Sequence, residues 1–303
     1  METDMYRVDN AVIMAAGTSS RFAPLSFEKH KALIEVRGEV LIERQIRQLR
    51  EAGIKDIYII TGYKADDFIY LKDKYGVELV YNCEYNRRNN NSSIYAARNI
   101  INNSYICSAD DYFQINPFNV YEDEAYYATV YSHGSTEEWC VKTDDKEYIT
   151  GVTIGGSDSW YMLGHTFWDQ QFSRIFLDIL CSEYNHPDMY DKLWESVYIE
   201  HIDKLFMKSR HYPSDIIYEL DSLEDLREFD QSYVTDTRSA VIKSIAEELE
   251  VTEDIIKVIK SSKGNNNEAD GFIFKVRERI YRYIFLTKEI IMEENDETRW
   301  KQI

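Results

Sequence analysis

Basic residues are in short supply: 35 Lys and Arg stand against 54 Asp and Glu, a formal net charge of −19 with a pI near 4.8. A chain this acidic is poorly suited to sequence-independent binding of nucleic acid or of an anionic membrane surface, since both draw on a net basic face. Any anionic ligand must be met by a local group of cations and backbone amides. Cysteine is equally sparse. Cys83, Cys107, Cys140 and Cys181 are widely spaced with no CxxC pair, which suggests neither a zinc site nor a disulfide framework. They read as small buried hydrophobes in a reducing compartment. No run approaches the roughly 20 apolar residues of a bilayer-spanning helix, and Met1 to Asn10 carries acids but no apolar core of a secretory leader. The expectation is a cytoplasmic enzyme-sized protein, with self-association left open by the sequence.

What is present is more informative. The 303 residues exceed the roughly 100–200 of an ordinary domain, and 44% hydrophobic residues supply a sizeable core. The run Ala11-Val12-Ile13-Met14 ends in small residues and Gly17, the pattern of a buried parallel strand closed by a turn. Apolar positions Leu41, Ile42, Ile46 and Leu49 have helical spacing, with Gly53 just past the end. Ile57 to Ile60 followed by Thr61-Gly62-Tyr63 repeats the strand-then-glycine motif, and a helix over Ala65 to Tyr75 and a strand over Glu78 to Tyr81 follow. This alternation predicts a right-handed, doubly wound α/β sheet, with ligands at the carboxyl ends of the strands.

Further strands are expected at Ser104 to Ser108, Ala125 to Tyr131, Cys140 to Lys142, Ile149 to Ile154 and Tyr161 to Thr166. Helices are expected near Asp169 to Cys181, Leu223 to Phe229 and Ala240 to Leu249, and a polar loop at Asn265-Asn266-Asn267. The sheet pattern stops around Ser232 to Arg238, so the expected division is a catalytic domain of residues 1–232 and a mixed extension of residues 233–303.

Two places carry chemistry. Ala15-Ala16-Gly17-Thr18-Ser19-Ser20-Arg21 follows the first strand, and Lys31 lies ten residues beyond Arg21. Small residues let backbone amides approach phosphate oxygens, while Arg21 and Lys31 supply charge for a triphosphate. Neither a Walker A loop nor a GxGxxG fingerprint is present. The second place is Asp110-Asp111, at the end of the Ser104 strand, where a carboxylate can hold Mg²⁺ across nucleotide phosphates. Asp221, closing the run Tyr218-Glu219-Leu220, is either a second metal carboxylate or the N-cap of the following helix.

The set Ala15-Ala16-Gly17 with Arg21, then Lys31-Ala32-Leu33, Leu41 to Ile46 and Ile59 to Tyr63 resembles the nucleotidyltransferases. Within them it is most similar to the bacterial CTP:phosphocholine cytidylyltransferases of the LicC type. The likeness continues through Asn89-Asn90 with Ser93, Asp110 with Tyr112, Glu138-Trp139, Trp168-Asp169, Trp194-Glu195 and Tyr218 to Ser222, and so covers about residues 10–232. It implies a single-domain Rossmann-like nucleotidyltransferase fold with a mixed central sheet. It also implies CTP bound by Ala15, Ala16, Gly17, Thr18 and Ser19 with Asn90 and Ser93, catalytic roles for Arg21 and Lys31, and Mg²⁺ on Asp110 and Asp221. Two departures stand out: Ser19 replaces the second loop glycine, and His30 replaces the proline before the lysine, which we read as loosening that turn.

For the acceptor, a quaternary ammonium has no hydrogen to donate and is recognised by aromatic faces beside carboxylates. Tyr112, Trp139, Tyr190 and Trp194, with Trp160, offer the faces, and Asp191, Glu195 and Glu138 the charge. Taken singly each aromatic is as readily a core residue. The expected reaction is CMP transfer from CTP to phosphocholine, giving CDP-choline and pyrophosphate. The competing readings are a phosphoethanolamine, inositol phosphate or sugar 1-phosphate acceptor, or a nucleotide-sensing regulator without catalysis. The extension, at Ile256 to Gly264, Gly271 to Val276 and Ile280 to Tyr283, resembles the opening strands of choline-kinase-like domains, but it lacks an HxD catalytic loop. Its alternative reading is a helical and hairpin segment packed on the catalytic domain or on a partner.

Overall fold

The computed structural model describes residues 5–263 and 269–293; the expected polar loop at Asn265 to Asn267 lies outside them. The chain divides into two compact units, Met1–Gly17 with Glu39–Glu219, and Thr18–Gly38 with Leu220–Ile303.

The first unit is built on a seven-stranded sheet. Its strands are β1 (Asn10–Ala15), β2 (Asp56–Thr61), β3 (Glu78–Tyr81), β4 (Ser104–Ser108), β6 (Tyr126–Thr143), β7 (Ile149–Trp168) and β8 (Lys208–Tyr212). They lie in the order β8-β6-β7-β4-β1-β2-β3. Only β7 runs against the rest, being antiparallel to both β4 and β6, so the expected mixed sheet is observed. A separate two-stranded pair joins β5 (Asp111–Phe113) to β9 (Ile217–Glu219), with Glu219 opposite Asp111. β1 is buried almost throughout because a central parallel strand is covered on both faces. The chain steps from β1 outward to β3 and then returns to β4 on the other side of β1. The carboxyl ends of β1 and β4 therefore flank a topological switch point, where ligands of open α/β sheets bind.

Helix α1 (Leu41–Glu51) buries the expected stripe, Leu41, Ile42, Ile46 and Leu49. It ends at Gly53, whose φ of 91° is the left-handed conformation that favours glycine. The helix expected over Ala65 to Tyr75 is instead a 3₁₀ turn, Ala65–Phe68, followed by α2 (Tyr70–Tyr75). Three further helices complete the unit: α3 (Asn91–Ala97), α4 (Gln170–Glu183) and α5 (Trp194–Glu200).

The four short strands expected between Ala125 and Thr166 prove to be the two long strands β6 and β7, an antiparallel hairpin with several register shifts. Their outer stretches, around Ser132 to Glu138 and Gly155 to Ser159, are largely exposed. With neither face buried, no apolar alternation marks them as strand.

The second unit holds α6 (Leu223–Phe229), α7 (Ala240–Glu248) and a four-stranded antiparallel sheet. The sheet comprises β10 (Ile256–Lys263), β11 (Ala269–Val276), β12 (Arg279–Ile284) and β13 (Ile290–Met292), paired in chain order. Ile242, Ile245, Ile256, Phe272 and Phe274 are fully buried in it. The buried Arg227 guanidinium donates to the carbonyls of Ile256 (2.7 Å) and Glu253 (2.8 Å), fastening α6 to the start of the sheet. The boundary expected at residue 232 falls inside this unit. Segment Thr18–Gly38 is bonded to residues on both sides of that position, through Arg37 to Asp230 and Glu35 to Tyr233.

Candidate active site

In the first unit, β1 runs into Ala15 and Ala16, both buried, and then Gly17. A Cβ added to Gly17 would meet no described atom within 4 Å, so the room left by its hydrogen faces outward. The turn after β2 is drawn under this loop. The Tyr63 amide donates to the Ala16 carbonyl at 3.0 Å, and a Cβ on Gly62 would stand 2.7 Å from that same oxygen. The TGY motif is thus a close-approach glycine supporting the loop.

Asp110 occupies the turn between β4 and β5. The Ala109 amide donates to the Met14 carbonyl, tying the turn to β1. The buried Gln45 amide of α1 donates to the carbonyls of Ser108 and Asp111, each at 2.8 Å, and so holds the turn from both sides. Asp111 is only 2% exposed, while Asp110 is half-buried. Carboxylate oxygens of Asp110 and Glu219 lie within 4.8 Å of one another, close enough to share a metal ion. Glu219 was not anticipated. The extended run before Asp221 hinted at it, since residues i and i+2 of a strand share a face.

Several of the expected site residues gather around the start of α3. The Asn90 side chain accepts the Trp194 amide (2.7 Å) and donates to the Glu195 carboxylate (3.1 Å). Asn89 donates from its amide to the Tyr190 carbonyl and from its side chain to that of Asp191. Ser93 is buried and accepts from Asn82. Burial pushes the Glu195 carboxyl up to about 7, against the opposing bonds from Asn90 and Tyr127. The Tyr127 hydroxyl is raised well above its ordinary value by burial, then by the charges of Glu195, Asp111 and Glu219.

The aromatic residues separate by environment. Trp194 is 1% exposed, stacked on Tyr127 (5.7 Å) and edge-on to Trp168 (5.1 Å) and Phe176 (6.0 Å). Its removal would cost on the order of 3–5 kcal/mol of packing. Trp139, in β6, packs on the same cluster but stays partly exposed, and Tyr190 is 42% exposed with the Arg88 guanidinium over its ring. Tyr112 is buried in β5 with Arg44 over its ring at 4.4 Å. Trp160 lies apart, stacked on His211 at 3.7 Å.

In the second unit, Asp221 accepts Lys31 Nζ on one oxygen (2.8 Å) and Arg21 on the other (2.7 Å). The Lys31 side chain is 5% exposed and that of Arg21 75%. Ser222, not Asp221, caps α6, in a capping box with Asp225. The Asp221 carboxylate is thereby left to the two cations. His30 does not loosen its turn. Its Nδ1 accepts the Ala32 amide at 3.1 Å and caps the 3₁₀ turn Lys31–Leu33. Ser19 adopts φ 49°, ψ 40°, the left-handed geometry a glycine there would take more cheaply.

Residues 11–114 match the MobA-like NTP transferase domain family. A choline-phosphate cytidylyltransferase of Streptococcus pneumoniae is 33% identical over 221 residues, 73% of this chain and 96% of that protein. The chain belongs to the cytidylyltransferases of the nucleotidyltransferase family. A 2-aminoethylphosphonate cytidylyltransferase of Lancefieldella rimae is 34% identical over 237 residues, 76% of this chain and 95% of that one. The solved structure of the Streptococcus pneumoniae CTP:phosphocholine cytidylyltransferase superposes with a TM-score of 0.72 at 33% identity, covering 75% of this chain and 99% of that one. As a cytidylyltransferase, the chain carries the fold of nucleotide-sugar transferases as well. A putative Bacillus anthracis glucose-1-phosphate thymidylyltransferase matches at a TM-score of 0.56 with 16% identity, over 74% of this chain and 95% of its own.

Proposed function

We propose that this cytidylyltransferase transfers CMP from CTP to phosphocholine. The observation that carries the acceptor assignment is the Glu195 cluster. A desolvated carboxylate is held by Asn90 and Tyr127 beside stacked Trp194, with partly exposed Trp139 packed on the same core. Aromatic faces and a carboxylate, which only accepts, suit a trimethylammonium group, which accepts and donates no hydrogen bond. A primary amine would call instead for several exposed acceptors. Partly exposed Trp139 and Tyr190 are the candidate faces, Glu195 and Asp191 the candidate charges, and Trp194 a buried support in the same core; Tyr112, buried in β5 beside the Asp110 turn, presents no open face.

In the reaction we infer, an acceptor phosphate oxygen attacks the α-phosphorus of CTP in line. The new P–O bond forms as the bond to pyrophosphate breaks, and CDP-choline remains. A phosphate monoester is already largely ionised near neutral pH, so no protein base is required and catalysis is positioning and charge neutralisation. The amides of Ala15 to Ser19 cradle the triphosphate. Lys31 bridges the reacting phosphates and Arg21 holds the departing β and γ groups; each exchanges Asp221 for a phosphate oxygen. Asp110 and Glu219 of the first unit are hard oxygen donors of the kind Mg²⁺ takes, as is Asp221, which the family resemblance adds; an ion held by such carboxylates would neutralise charge on the α-phosphate. Ser93 and Asn90 are assigned to the cytidine on the family resemblance, and Asn90 also fixes Glu195.

Pyrophosphate release from CTP and Mg²⁺ tests the assignment, with phosphocholine, 2-aminoethylphosphonate, phosphoethanolamine and glucose 1-phosphate compared as acceptors. Phosphocholine should give the highest kcat/KM. Release only with an amine-bearing acceptor would transfer the assignment to that compound, and no release with any would favour a regulator.

The Glu195 carboxyl also sets a pH dependence. Because its pKa stands near 7, the anion is lost as pH falls through neutrality and gained as it rises. The kcat/KM for phosphocholine at saturating CTP should therefore climb between pH 6 and 8 beyond the acceptor's own ionisation, which is centred near about 6. Glu195→Gln should flatten the excess and raise KM for phosphocholine about tenfold, an ion-pair loss of roughly 1.4 kcal/mol. An unchanged profile in that variant would remove Glu195 from the acceptor site.

A further inference from the structure

The segment Thr18–Gly38 carries both proposed triphosphate cations, yet it has little regular structure: two 3₁₀ turns, one helical turn, Leu25–Glu28, and the two-residue strand Glu35–Val36. What fixes it is the C-terminal part of the chain. Phe27 lies face to face on Phe285, centroids 3.9 Å apart and planes within 6°. Phe285 is buried and backed by Phe272 at 5.9 Å, itself fully buried between β10 and β12. One residue on, the Glu28 carboxylate accepts the Ala240 amide (2.7 Å) at the first turn of α7. Farther along, the buried Tyr233 hydroxyl donates to the Glu35 carbonyl (2.7 Å). The Arg37 amide donates to Asp230 (2.7 Å), and its guanidinium covers the Phe229 ring at 3.7 Å.

We propose that the chain from Phe229 to Phe285 is a clamp that positions Lys31 for CTP, with the Phe27–Phe285 stack as its principal contact. The inference rests on the proposed role of that cation. Segment Phe27–Arg37 is held at four points, Phe27, Glu28, Glu35 and Arg37, and Lys31 sits between the second and third. Its Nζ is nearly buried on Asp221 and 5.5 Å from the Phe22 ring centroid. A side chain so enclosed moves only with its backbone. Preorganisation of this kind lowers the ordering cost that binding would otherwise incur. Phe27 and Phe285 are positioning residues; neither is assigned a contact with substrate.

The test is calorimetric titration of CTP with Mg²⁺ into the full-length chain, followed by steady-state kinetics. Phe27→Ala, at a ring 41% exposed, and Phe285→Ala should each weaken CTP binding about 5–20-fold and raise KM for CTP alike. KM for phosphocholine should stay within twofold. Phe27→Tyr keeps the stacked ring and should restore wild-type affinity. The double variant should be no weaker than the worse single one, because both remove the same contact. Unchanged CTP affinity in Phe27→Ala, or additive losses in the double variant, would overturn the clamp. Should Phe285→Ala fail to fold, the Phe27 pair of variants decides alone. Because binding of CTP is read without an acceptor, a wrong acceptor leaves this test intact. Failure of the wild-type chain to bind CTP would instead sink the functional reading.

Discussion

Lys31→Ala is expected to lower the rate of pyrophosphate release by two to three orders of magnitude, the scale on which a preorganised charge at the reacting phosphates contributes. Lys31 is the enclosed member of the pair of cations on Asp221, whereas Arg21 is largely solvent-exposed. A nearly buried ammonium is directed by its surroundings and desolvated in advance, so its field at a phosphate is stronger than that of a mobile exposed guanidinium. Arg21→Ala should accordingly cost less, about tenfold, and mostly in KM for CTP. Lys31→Arg should not rescue, because the planar fork does not fit a site shaped for one compact charge. The variant also leaves Asp221 with a single partner, so the melting temperature must be measured alongside the rate. A Lys31→Ala protein of ordinary melting temperature and near-normal turnover would refute the role.

Asp110→Ala should be comparably severe, reducing turnover about a thousandfold and raising the Mg²⁺ concentration needed for half-maximal rate. The turn that carries Asp110 is held by Gln45 through the carbonyls of Ser108 and Asp111, so the backbone stays in place when the carboxylate is removed. Asp221→Ala should act in the same direction, and Glu219→Gln more weakly, since it shares the charge with Asp110. Asp111→Asn supplies the contrast. That side chain is buried, and its replacement should lower thermal stability while leaving the Mg²⁺ titration unchanged. If Asp110→Ala kept its rate at limiting Mg²⁺ while Asp111→Asn lost it, the metal would belong to the neighbouring residue.

These residues were legible in the sequence to different degrees, for physical reasons. The pair Asp110-Asp111 stands out because a short apolar strand ending in acids is a local pattern, and the choice of Asp110 comes from the family resemblance; the strand-turn-helix rhythm around Gly17, Gly53 and Gly62 is local too. Glu219 is only hinted at by the extended run before Asp221, because its neighbour Asp110 is 109 residues away and meets it through the β5–β9 pairing. Trp194 can be named from the sequence, but its burial is not legible there. Its tie to Asn90 reaches back across the chain, and nothing in Leu193-Trp194-Glu195 reveals that Trp168 and Phe176 close over the indole. Composition favoured an aromatic cage, and burial has moved one of its walls into the core. Where strands were missed, in the outer part of the β6–β7 hairpin, both faces are wet and hydrophobic periodicity carries no signal.

Ser19 bears on how members of this family are recognised at all. It holds φ 49° without being glycine, and its carbonyl accepts the Phe22 amide at 2.9 Å, closing the turn that follows. A backbone shape that the surroundings impose can outlive the residue type that first made it cheap. A search pattern demanding two glycines after the first strand would pass over this chain, while one written for a left-handed residue before an arginine turn would find it. In this chain the loop is defined by a torsion angle, and the residue type records it only by proxy.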